Sequence, residues 1–362
     1  MDESRWMSFF LECRIQTADL GGELSEMSMG AKGAGSLILV CFVFLLSSGG
    51  CSLEPGAGEE DAIDVQLTDF YTPPRQPDLS SESARVTSWS TSYDGVIRRY
   101  DSLRADHPAY ITRRTLGMAT DRTPLHAYYF APESYANTVV VTAGLHGNER
   151  LAVWALFLFL RHLSAEGEDV PVLTDLRTNT RLVIVPVANP TGFTDTTRQN
   201  RNGVDLNRNF DYRWEAYTPK EDFAFGYDYK GERPHSEAET RLLAQLFREH
   251  ASASAYLDLH NYGERDRHWS WYLPKHGPND DTIYRQVVEK FRREGDTVFS
   301  LKTTRPTSYN YVAHTFDVHA STSEFSLALF GDERYDSAGM TAAVRWYGNL
   351  IMGHAKIDLD HR

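Results

Sequence analysis

The chain has 362 residues, of which 41% are hydrophobic and 24% charged, a composition typical of a globular protein with a sizeable core. Its formal net charge of −13 argues against a nucleic-acid partner, which requires clustered lysine and arginine. The three cysteines are Cys13, Cys41 and Cys51. Residues 52–362 therefore contain neither an internal disulfide nor a thiolate metal site, and a metal there must be bound by His, Asp or Glu.

The N-terminal region is typical of an export signal. An apolar run over residues 37–46 follows Lys32 and has about half the length that a membrane-spanning helix needs. Residues 27–51 end in small residues and Cys51 and resemble a bacterial lipoprotein signal, although Ser48 stands where such signals usually have leucine. We expect export, lipidation at Cys51 and a lipid-anchored location in a bacterial cell envelope, at the periplasmic face or the cell surface. Cleavage without lipidation is the alternative.

The segments on either side of this signal differ from it in composition. Residues 1–26 are too acidic for the leading part of a signal, which indicates that translation starts at Met27 or Met29. Residues 52–89 are rich in Gly, Pro, Ser and acidic side chains and predict a flexible tether. A single folded domain is expected over residues 90–358.

Predicted helices and strands alternate along this domain. The predicted helices are 88–103, 149–163, 236–250, 281–294 and 340–354, and the predicted strands are 125–131, 138–145, 181–188, 255–260 and 320–326. Ser236, with Glu239 three residues later, predicts a capping box at the start of one helix. The alternation predicts an α/β fold, in which helices cover both faces of a twisted, mostly parallel or mixed sheet. A site is then expected beyond the carboxyl ends of the strands.

Candidate zinc ligands lie at two of these strand ends. His146 and Glu149 follow the strand 138–145, and His260 ends another apolar strand. Zinc accepts imidazole nitrogen and carboxylate oxygen, and catalytic sites combine three protein ligands with one water molecule. If the two strands are neighbours, these side chains form a site for one zinc ion. The His-x-x-Glu spacing is weak by itself, and a structural histidine at a strand end is the alternative. The helical His-Glu-x-x-His motif is absent from the sequence.

Further polar side chains lie where they could act beside such an ion. Glu324 lies at a third predicted strand end and would suit a general base, with a plain salt bridge as the alternative. Arg198, Asn207 and Arg208 lie in the polar loop 198–210. Beside zinc they would suit an oxyanion and a substrate carboxylate, because arginine matches carboxylates bidentately. Without zinc, this loop would be an ordinary solvated segment.

Six segments, in order along the chain, resemble the zinc carboxypeptidase family, the carboxypeptidase A/B-like metallopeptidases. They are HGNE at 146–149, NPTGF at 189–193, RQNRNGVDLNRNF at 198–210, PHSEAET at 234–240, LDLHNY at 257–262 and TSEF at 322–325. Ordered matches of this kind are far more specific than any single motif. The resemblance strengthens the metal interpretation over its structural alternative.

The resemblance implies roles for the residues nearest the metal. His146, Glu149 and His260 match the family's zinc ligands, and Glu324 matches its general base and acid. Arg198 matches the arginine that polarises the scissile carbonyl and stabilises its oxyanion.

The resemblance also implies a set of substrate contacts. Asn207 and Arg208 match the pair that binds the terminal carboxylate of the substrate. Tyr262 matches a subsite tyrosine, and Tyr309 lies near the position that selects the substrate side chain. The family's mobile tyrosine has no clear counterpart, because a gap-free count from the catalytic glutamate reaches Lys302.

The implied activity is hydrolysis of the peptide bond next to a free C-terminal carboxylate, with one zinc ion as cofactor. A zinc amidohydrolase for murein peptides or small N-acyl amino acids is an alternative, and an inactive binding module of the same fold is another. The expected partners are a peptide-like substrate with a free carboxylate and a membrane reached through the lipid anchor, with no nucleic acid.

Overall fold

The computed structural model describes residues 71–72, 92–167, 169–263, 268–275, 297–327 and 337–356. Its helices are α1 (Tyr93–Asp106), α2 (Arg150–Glu166), α3 (Pro171–Asn179), α4 (Pro190–Asp195), α5 (Ala238–Glu249), α6 (Ser308–Phe316) and α7 (Ser337–Ala355). Its strands are β1 (Ile111–Met118), β2 (Pro124–Phe130), β3 (Asn137–Ala143), β4 (Thr180–Val185), β5 (Ala255–Gly263), β6 (His268–Pro274), β7 (Thr297–Thr303) and β8 (His319–Leu327). The predicted extension 1–26, the predicted signal with Cys51 and the predicted helix 281–294 lie outside the described residues.

These strands form one mixed sheet in the order β1-β2-β4-β3-β5-β8-β6-β7. The four central strands, β4, β3, β5 and β8, run parallel to one another. Antiparallel pairs occur between β1 and β2, between β2 and β4, and between β6 and β8. The central strands are nearly continuous apolar runs such as 139–141, because a parallel sheet is buried on both faces. The predicted mixed sheet is confirmed.

Helices cover both faces of the sheet, as predicted. Apolar side chains of α1, α2, α3 and α7 form one hydrophobic core against the sheet. Apolar side chains of α5 and α6 form a second core on the opposite face. Residues 151–160 of α2 are buried throughout, which explains why this helix is hydrophobic on all sides. No helix in the described parts of the chain is long and apolar enough to cross a membrane.

Tyr71 lies within the segment predicted as a tether, yet it packs into the first core. Its side chain is only 1% exposed and makes an edge-on contact with the ring of Phe159 on α2. Its hydroxyl lies 2.7 Å from Nδ1 of His162, and its backbone exchanges two hydrogen bonds with the side chain of Asn349 on α7. At this position the segment behaves as part of the domain, because a buried aromatic ring and paired backbone groups fix it between two helices.

The predicted capping box at α5 is wrong. The helix begins at Ala238, with Glu237 in place of Ser236 as N-cap and no capping hydrogen bond from its side chain. The Ser236 hydroxyl donates to Glu237 Oε1 at 2.7 Å, and the backbone N–H of Glu237 donates to Asn209 Oδ1 at 3.2 Å. The Glu239 carboxylate, which would complete the box, is buried and accepts from the Thr120 hydroxyl. Hydrogen bonds to the distant residues Asn209 and Thr120 have replaced the predicted capping hydrogen bonds.

Candidate metal centre

The two strands that carry the predicted ligands are neighbours. Strand β3 pairs in parallel with β5, with Ala143 aligned to Leu259, so their carboxyl ends lie side by side. Beyond β3, the chain turns at Gly144, whose φ of +63° favours glycine, and enters α2 with Glu149 as the N-cap residue. Gly147 is also required, because a Cβ there would lie 1.9 Å from the backbone of Gly192. The turn therefore holds its side chains against the end of β5.

His146, Glu149 and His260 converge on one point. Nδ1 of His146 lies 2.6 Å from Glu149 Oε1, and Nδ1 of His260 lies 2.7 Å from Glu149 Oε2. The two Nδ1 atoms lie 3.1 Å apart. All three side chains are buried, and one potential ligand atom from each lies within 4.8 Å of the others. The cluster can hold one metal ion.

Each of these histidines contacts a buried carboxylate through its Nε2 atom. His146 Nε2 lies 3.1 Å from Asp205 Oδ1, and His260 Nε2 lies 2.8 Å from Asp258 Oδ2. These partners assign the Nε2 position to a proton in both rings, so that Nδ1 is the nitrogen available to a metal ion. Such carboxylate–histidine pairs fix the orientation and raise the basicity of metal-bound histidines.

The donor set fits zinc. Two Nδ1 lone pairs and a carboxylate face one another at 2.6 to 3.1 Å, an arrangement that repels unless a cation or proton lies between them. Burial alone would raise the pKa of Glu149, but His146 and His260 lower it far below its usual range. Two imidazoles and an ionised carboxylate are ligands that catalytic zinc sites use.

Sequence reasoning missed Asp205 and Asp258. Asp205 caps the short 3-10 turn Leu206–Arg208 by accepting from the backbone N–H of Asn207. Burial would raise the pKa of Asp205, but Arg198 and then His146 lower it well below its usual value. Asp258 could have been recognised from the sequence, because it lies two residues before His260 on a buried strand. Residues two apart on a strand lie on the same face of the sheet.

Glu324 lies beside the cluster on the next strand. In the parallel pair β5 and β8, Glu324 is aligned with His260, so both side chains emerge on the same face. Burial raises the pKa of Glu324, and the charge of Glu149 raises it further. A carboxyl group so placed holds a proton more readily than an ordinary glutamate, a property that suits proton transfer near neutral pH.

Arg198 approaches the cluster from the loop 198–210. Its Nη1 lies 3.2 Å from His146 Nδ1 and 3.7 Å from Glu149 Oε1. Its Nε and Nη2 donate to Asp205 Oδ2 at 3.1 and 2.8 Å, and Nε also donates to the carbonyl of Tyr227. Burial would lower the pKa of Arg198, but Asp205 raises it above its usual value, so the guanidinium stays charged.

Asn207 and Arg208 are buried on the same loop. Asn207 Oδ1 accepts from the backbone N–H of Ser308, and its Nδ2 lies 3.5 Å from His260 Nε2. Arg208 donates through Nη1 to the Asn207 carbonyl and through Nε to the hydroxyl of Tyr217. Within the described ranges, no carboxylate forms an ion pair with Arg208, whose guanidinium is held by these two hydrogen bonds.

The remaining predicted substrate residues lie in different settings. Tyr309 is buried on α6, with its hydroxyl 2.6 Å from Thr303 Oγ1. The half-buried Tyr262 has its hydroxyl 3.0 Å from Ser270 Oγ. Lys302, which the gap-free count from Glu324 reaches, is exposed on β7, an edge strand of the sheet.

The loop that carries Arg198 is tied to the start of α5. Glu237 Oε2 accepts hydrogen bonds from the side-chain amides of Asn200 and Asn202, each at 2.8 Å. Asn200 Oδ1 in turn accepts from the backbone N–H of Val204 at 3.1 Å. Glu237 therefore anchors the loop to the helix, a contact that the sequence did not predict.

Comparisons with known proteins agree with this geometry. The sequence profile of the family described as zinc carboxypeptidase matches residues 96–338. Carboxypeptidase A4 of Mus musculus is 23% identical over 238 residues, which cover 60% of this chain and 56% of the relative. Carboxypeptidase A2 of Rattus norvegicus is 27% identical over 188 residues, which cover 47% of this chain and 44% of the relative. The chain thus spans about half the length of these curated relatives.

Solved structures share the fold. Carboxypeptidase A from Helicoverpa armigera superposes with a TM-score of 0.62 at 18% identity, covering 78% of this chain and 81% of the other. A metallo-carboxypeptidase from Burkholderia cenocepacia gives a TM-score of 0.56 at 18% identity, with 73% of this chain and 69% of the other covered. The family profile matches more than half of the chain and includes all three clustered ligands, and the chain therefore belongs to the zinc carboxypeptidase family.

Proposed function

We propose that the chain is a zinc metallocarboxypeptidase that hydrolyses the peptide bond next to a free C-terminal carboxylate. The observation that carries this proposal is the convergence of His146, Glu149 and His260 on one point. A zinc ion bound there would polarise the substrate carbonyl as a Lewis acid and lower the pKa of water. Membership of the zinc carboxypeptidase family supports the choice of metal and reaction class.

Glu324 is proposed to move the proton. Its carboxylate accepts a proton from the attacking water as the water oxygen adds to the carbonyl carbon. Its protonated form then donates that proton to the leaving nitrogen as the C–N bond breaks. The raised pKa of Glu324 supports both steps, because a general acid and base works best when its pKa approaches the working pH.

Arg198 is proposed to stabilise the oxyanion. Asp205 and the Tyr227 carbonyl hold Nε and Nη2, and Nη1 is left directed toward the ligand cluster. A fixed, charged donor stabilises developing negative charge without first having to reorient, and loss of one such donor typically costs about 3–4 kcal/mol.

Asn207 and Arg208 are proposed to bind the terminal carboxylate of the substrate. Both are buried, Asn207 lies 3.5 Å from His260 Nε2, and the guanidinium of the adjacent Arg208 suits bidentate pairing with a carboxylate. Fixing that carboxylate near the metal sets the distance to the bond that is cut, so a single residue is released. Tyr309 and Tyr262 are proposed as neighbouring substrate contacts, and the preferred residue is left to the experiment.

The test is a panel of peptides that differ in their C-terminal residue, assayed with the zinc-loaded wild type and with Glu324→Gln. We expect the wild type to release single C-terminal residues, and Glu324→Gln to lower kcat about 10²- to 10⁴-fold while its zinc content stays unchanged. C-terminally amidated peptides serve as controls, because Arg208 then has no carboxylate to bind. Bound zinc without hydrolysis would contradict the proposal and favour a binding module.

The same assay separates the other hydrolase candidates. Mass spectrometry of products from a mixed pool of peptides, muropeptides and N-acyl amino acids identifies the bond that is broken. Release of acyl groups without amino acids would favour the amidohydrolase for N-acyl substrates. Preferential cleavage of muropeptides would place the substrate in the cell wall.

We also propose that the protein is exported and anchored through a lipid at Cys51. The apolar run 37–46 and the small residues before Cys51 support this proposal. Fatty-acid labelling should mark the wild type in bacterial membranes and leave Cys51→Ala unlabelled. Equal labelling of both proteins would contradict it.

A further inference from the structure

The loop 221–228, named here the aromatic loop, exposes three aromatic side chains, of which Tyr227 contacts Arg198 of the candidate metal centre. Phe223, Phe225 and Tyr227 are 61%, 61% and 59% exposed. Large exposed hydrophobic side chains elsewhere in the described residues are Met118, Tyr135 and Leu301, which are far from one another in sequence. Clustered exposed aromatic groups indicate an interaction site, whereas single ones are ordinary on protein surfaces.

Tyr227 connects this loop directly to Arg198. The Tyr227 carbonyl accepts from Arg198 Nε at 3.1 Å, and the guanidinium carbon lies 4.5 Å from the centre of the Tyr227 ring. The same guanidinium reaches within 3.2 Å of His146. Arg198 therefore contacts both the aromatic loop and the candidate metal ligand His146.

The loop is held rigidly while its rings remain exposed. Buried Asp228 accepts hydrogen bonds from the backbone N–H groups of Lys220 and Glu221 and from the hydroxyl of Tyr217. The side chain of Gln199, beside Arg198 in the chain, donates to the Gly226 carbonyl at 2.9 Å. Ordering exposed aromatic rings in this way lowers the entropy that binding would otherwise cost.

The backbone of the loop is strained at one of the three aromatic residues. Phe225 has a φ of +67°, a left-handed conformation that a bulky residue rarely adopts. Its backbone N–H donates to the Gly203 carbonyl at 2.8 Å, and Gly203 has no Cβ, which would lie 2.4 Å from the Phe225 nitrogen. Strain of this kind persists where the surroundings enforce it, and it is typical of functional sites.

We propose that the aromatic loop binds apolar or aromatic side chains of a peptide substrate on the acyl side of the bond that is cut. The inference rests on the proposed function, in which Arg198 contacts the scissile carbonyl. That carbonyl belongs to the residue preceding the bond, so the side chains of this residue and of those before it pass next to Tyr227. Substrates rich in apolar residues before their C-terminus are the class that this surface selects.

The test compares peptides that share one C-terminal residue and carry either glycine or a single phenylalanine at each of the three preceding positions. For the wild type we expect kcat/KM about tenfold higher for the best phenylalanine peptide, mainly through KM. Phe223→Ser should reduce this ratio at least threefold, and Phe225→Asn, which tolerates a positive φ, should act in the same direction.

Tyr135→Ser is the matched control. Tyr135 is also exposed and also stacks on an arginine, with Arg181 4.5 Å from its ring centre, but it precedes β3 and so lies at the amino end of the strands. This control should keep the wild-type ratio. Thermal unfolding of each variant should remain within a few degrees of the wild type, because the substituted rings are exposed.

Binding of the same peptides to Glu324→Gln separates this inference from the proposed function. Hydrolysis with equal rates for glycine and phenylalanine peptides would overturn the inference and leave the carboxypeptidase proposal intact. Absence of hydrolysis, with phenylalanine-dependent binding lost in Phe223→Ser, would overturn the activity and support the binding surface. Loss of binding to anionic lipid vesicles in Phe223→Ser, with unchanged peptide ratios, would overturn the inference in favour of a membrane-facing loop.

Discussion

The carboxylate of Asp258 acts on the candidate metal ligand His260, which it contacts directly. Asp258 is fully buried and accepts from His260 Nε2, and it also accepts from the hydroxyls of Thr142 and Ser308 at 2.6 and 2.8 Å. Burial would lower the pKa of His260, but Asp258 and then Glu149 raise it well above its usual value. The aspartate thus orients the imidazole and makes Nδ1 a stronger ligand.

Replacing Asp258 with alanine should weaken zinc binding about 10- to 100-fold, because His260 loses the partner that orients it. Competition with a chromogenic chelator measures this affinity directly, independently of turnover. Ser308→Ala, which removes one hydrogen bond to Asp258 and leaves the pair with His260 intact, should weaken binding much less. An unchanged zinc affinity in Asp258→Ala would show that the pair has no role in holding the metal.

Tyr71 connects the segment before the sheet to helices α2 and α7. The Tyr71 ring packs on α2 and its backbone pairs with Asn349 of α7, so the chain before the sheet links two helices that lie on the same face. Composition predicted a tether there because Gly, Pro and acidic residues surround this single tyrosine. One anchoring residue is too small a signal for a compositional argument.

Tyr71→Ala should lower the free energy of unfolding by about 3–5 kcal/mol, the usual cost of removing a buried aromatic ring. Urea unfolding of the zinc-free protein, followed by circular dichroism, measures the change. The neighbouring Thr72 is exposed, so Thr72→Ala should behave like the wild type. A loss below about 0.5 kcal/mol in Tyr71→Ala would show that this contact is not formed in solution.

His354 near the end of α7 makes the stability of that helix depend on pH. Its Nδ1 donates to the Leu350 carbonyl at 2.7 Å, and its Nε2 accepts from the hydroxyl of Ser321 at 3.3 Å, a pattern that suits the neutral ring. Burial, with a smaller contribution from the neighbouring His319, lowers the pKa of His354 to about 4, although the hydrogen bond to the Leu350 carbonyl acts in the opposite direction. In the unfolded chain the pKa returns to about 6.5.

As the pH falls from 7 to 5, the unfolded chain therefore takes up a proton at His354 that the folded chain does not. Stability present above pH 6.5 is lost progressively, by about 2 kcal/mol at pH 5 from this residue alone. His354→Gln retains hydrogen-bonding groups without titrating, so urea unfolding of the zinc-free variant should show a drop between pH 7 and 5 that is smaller by this amount. Equal drops in both proteins would contradict the assignment.

At the scale of the whole molecule, the sequence indicates the sheet and the ligands better than the contacts between them. His146, His260 and Glu324 could be recognised as polar residues after or within continuous apolar runs, which are typical of buried parallel strands. The strand ends were less well predicted, because β5 and β8 continue to Gly263 and Leu327, beyond His260 and Glu324. The order of the strands could not be predicted, since pairing across the sheet depends on tertiary packing. The roles of Asp205 and Glu237 were also missed, because their partners lie 59 and 37 residues away in the chain.

The proposed activity requires one ion shared by side chains from the turn after β3 and from β5. The most direct measurement is a crystal structure of the zinc-soaked protein with anomalous diffraction collected at the zinc edge. We predict a single strong peak at full occupancy, about 2.0–2.1 Å from Nδ1 of both His146 and His260 and at a similar distance from the Glu149 carboxylate. A peak elsewhere, or none between these three side chains, would contradict the account.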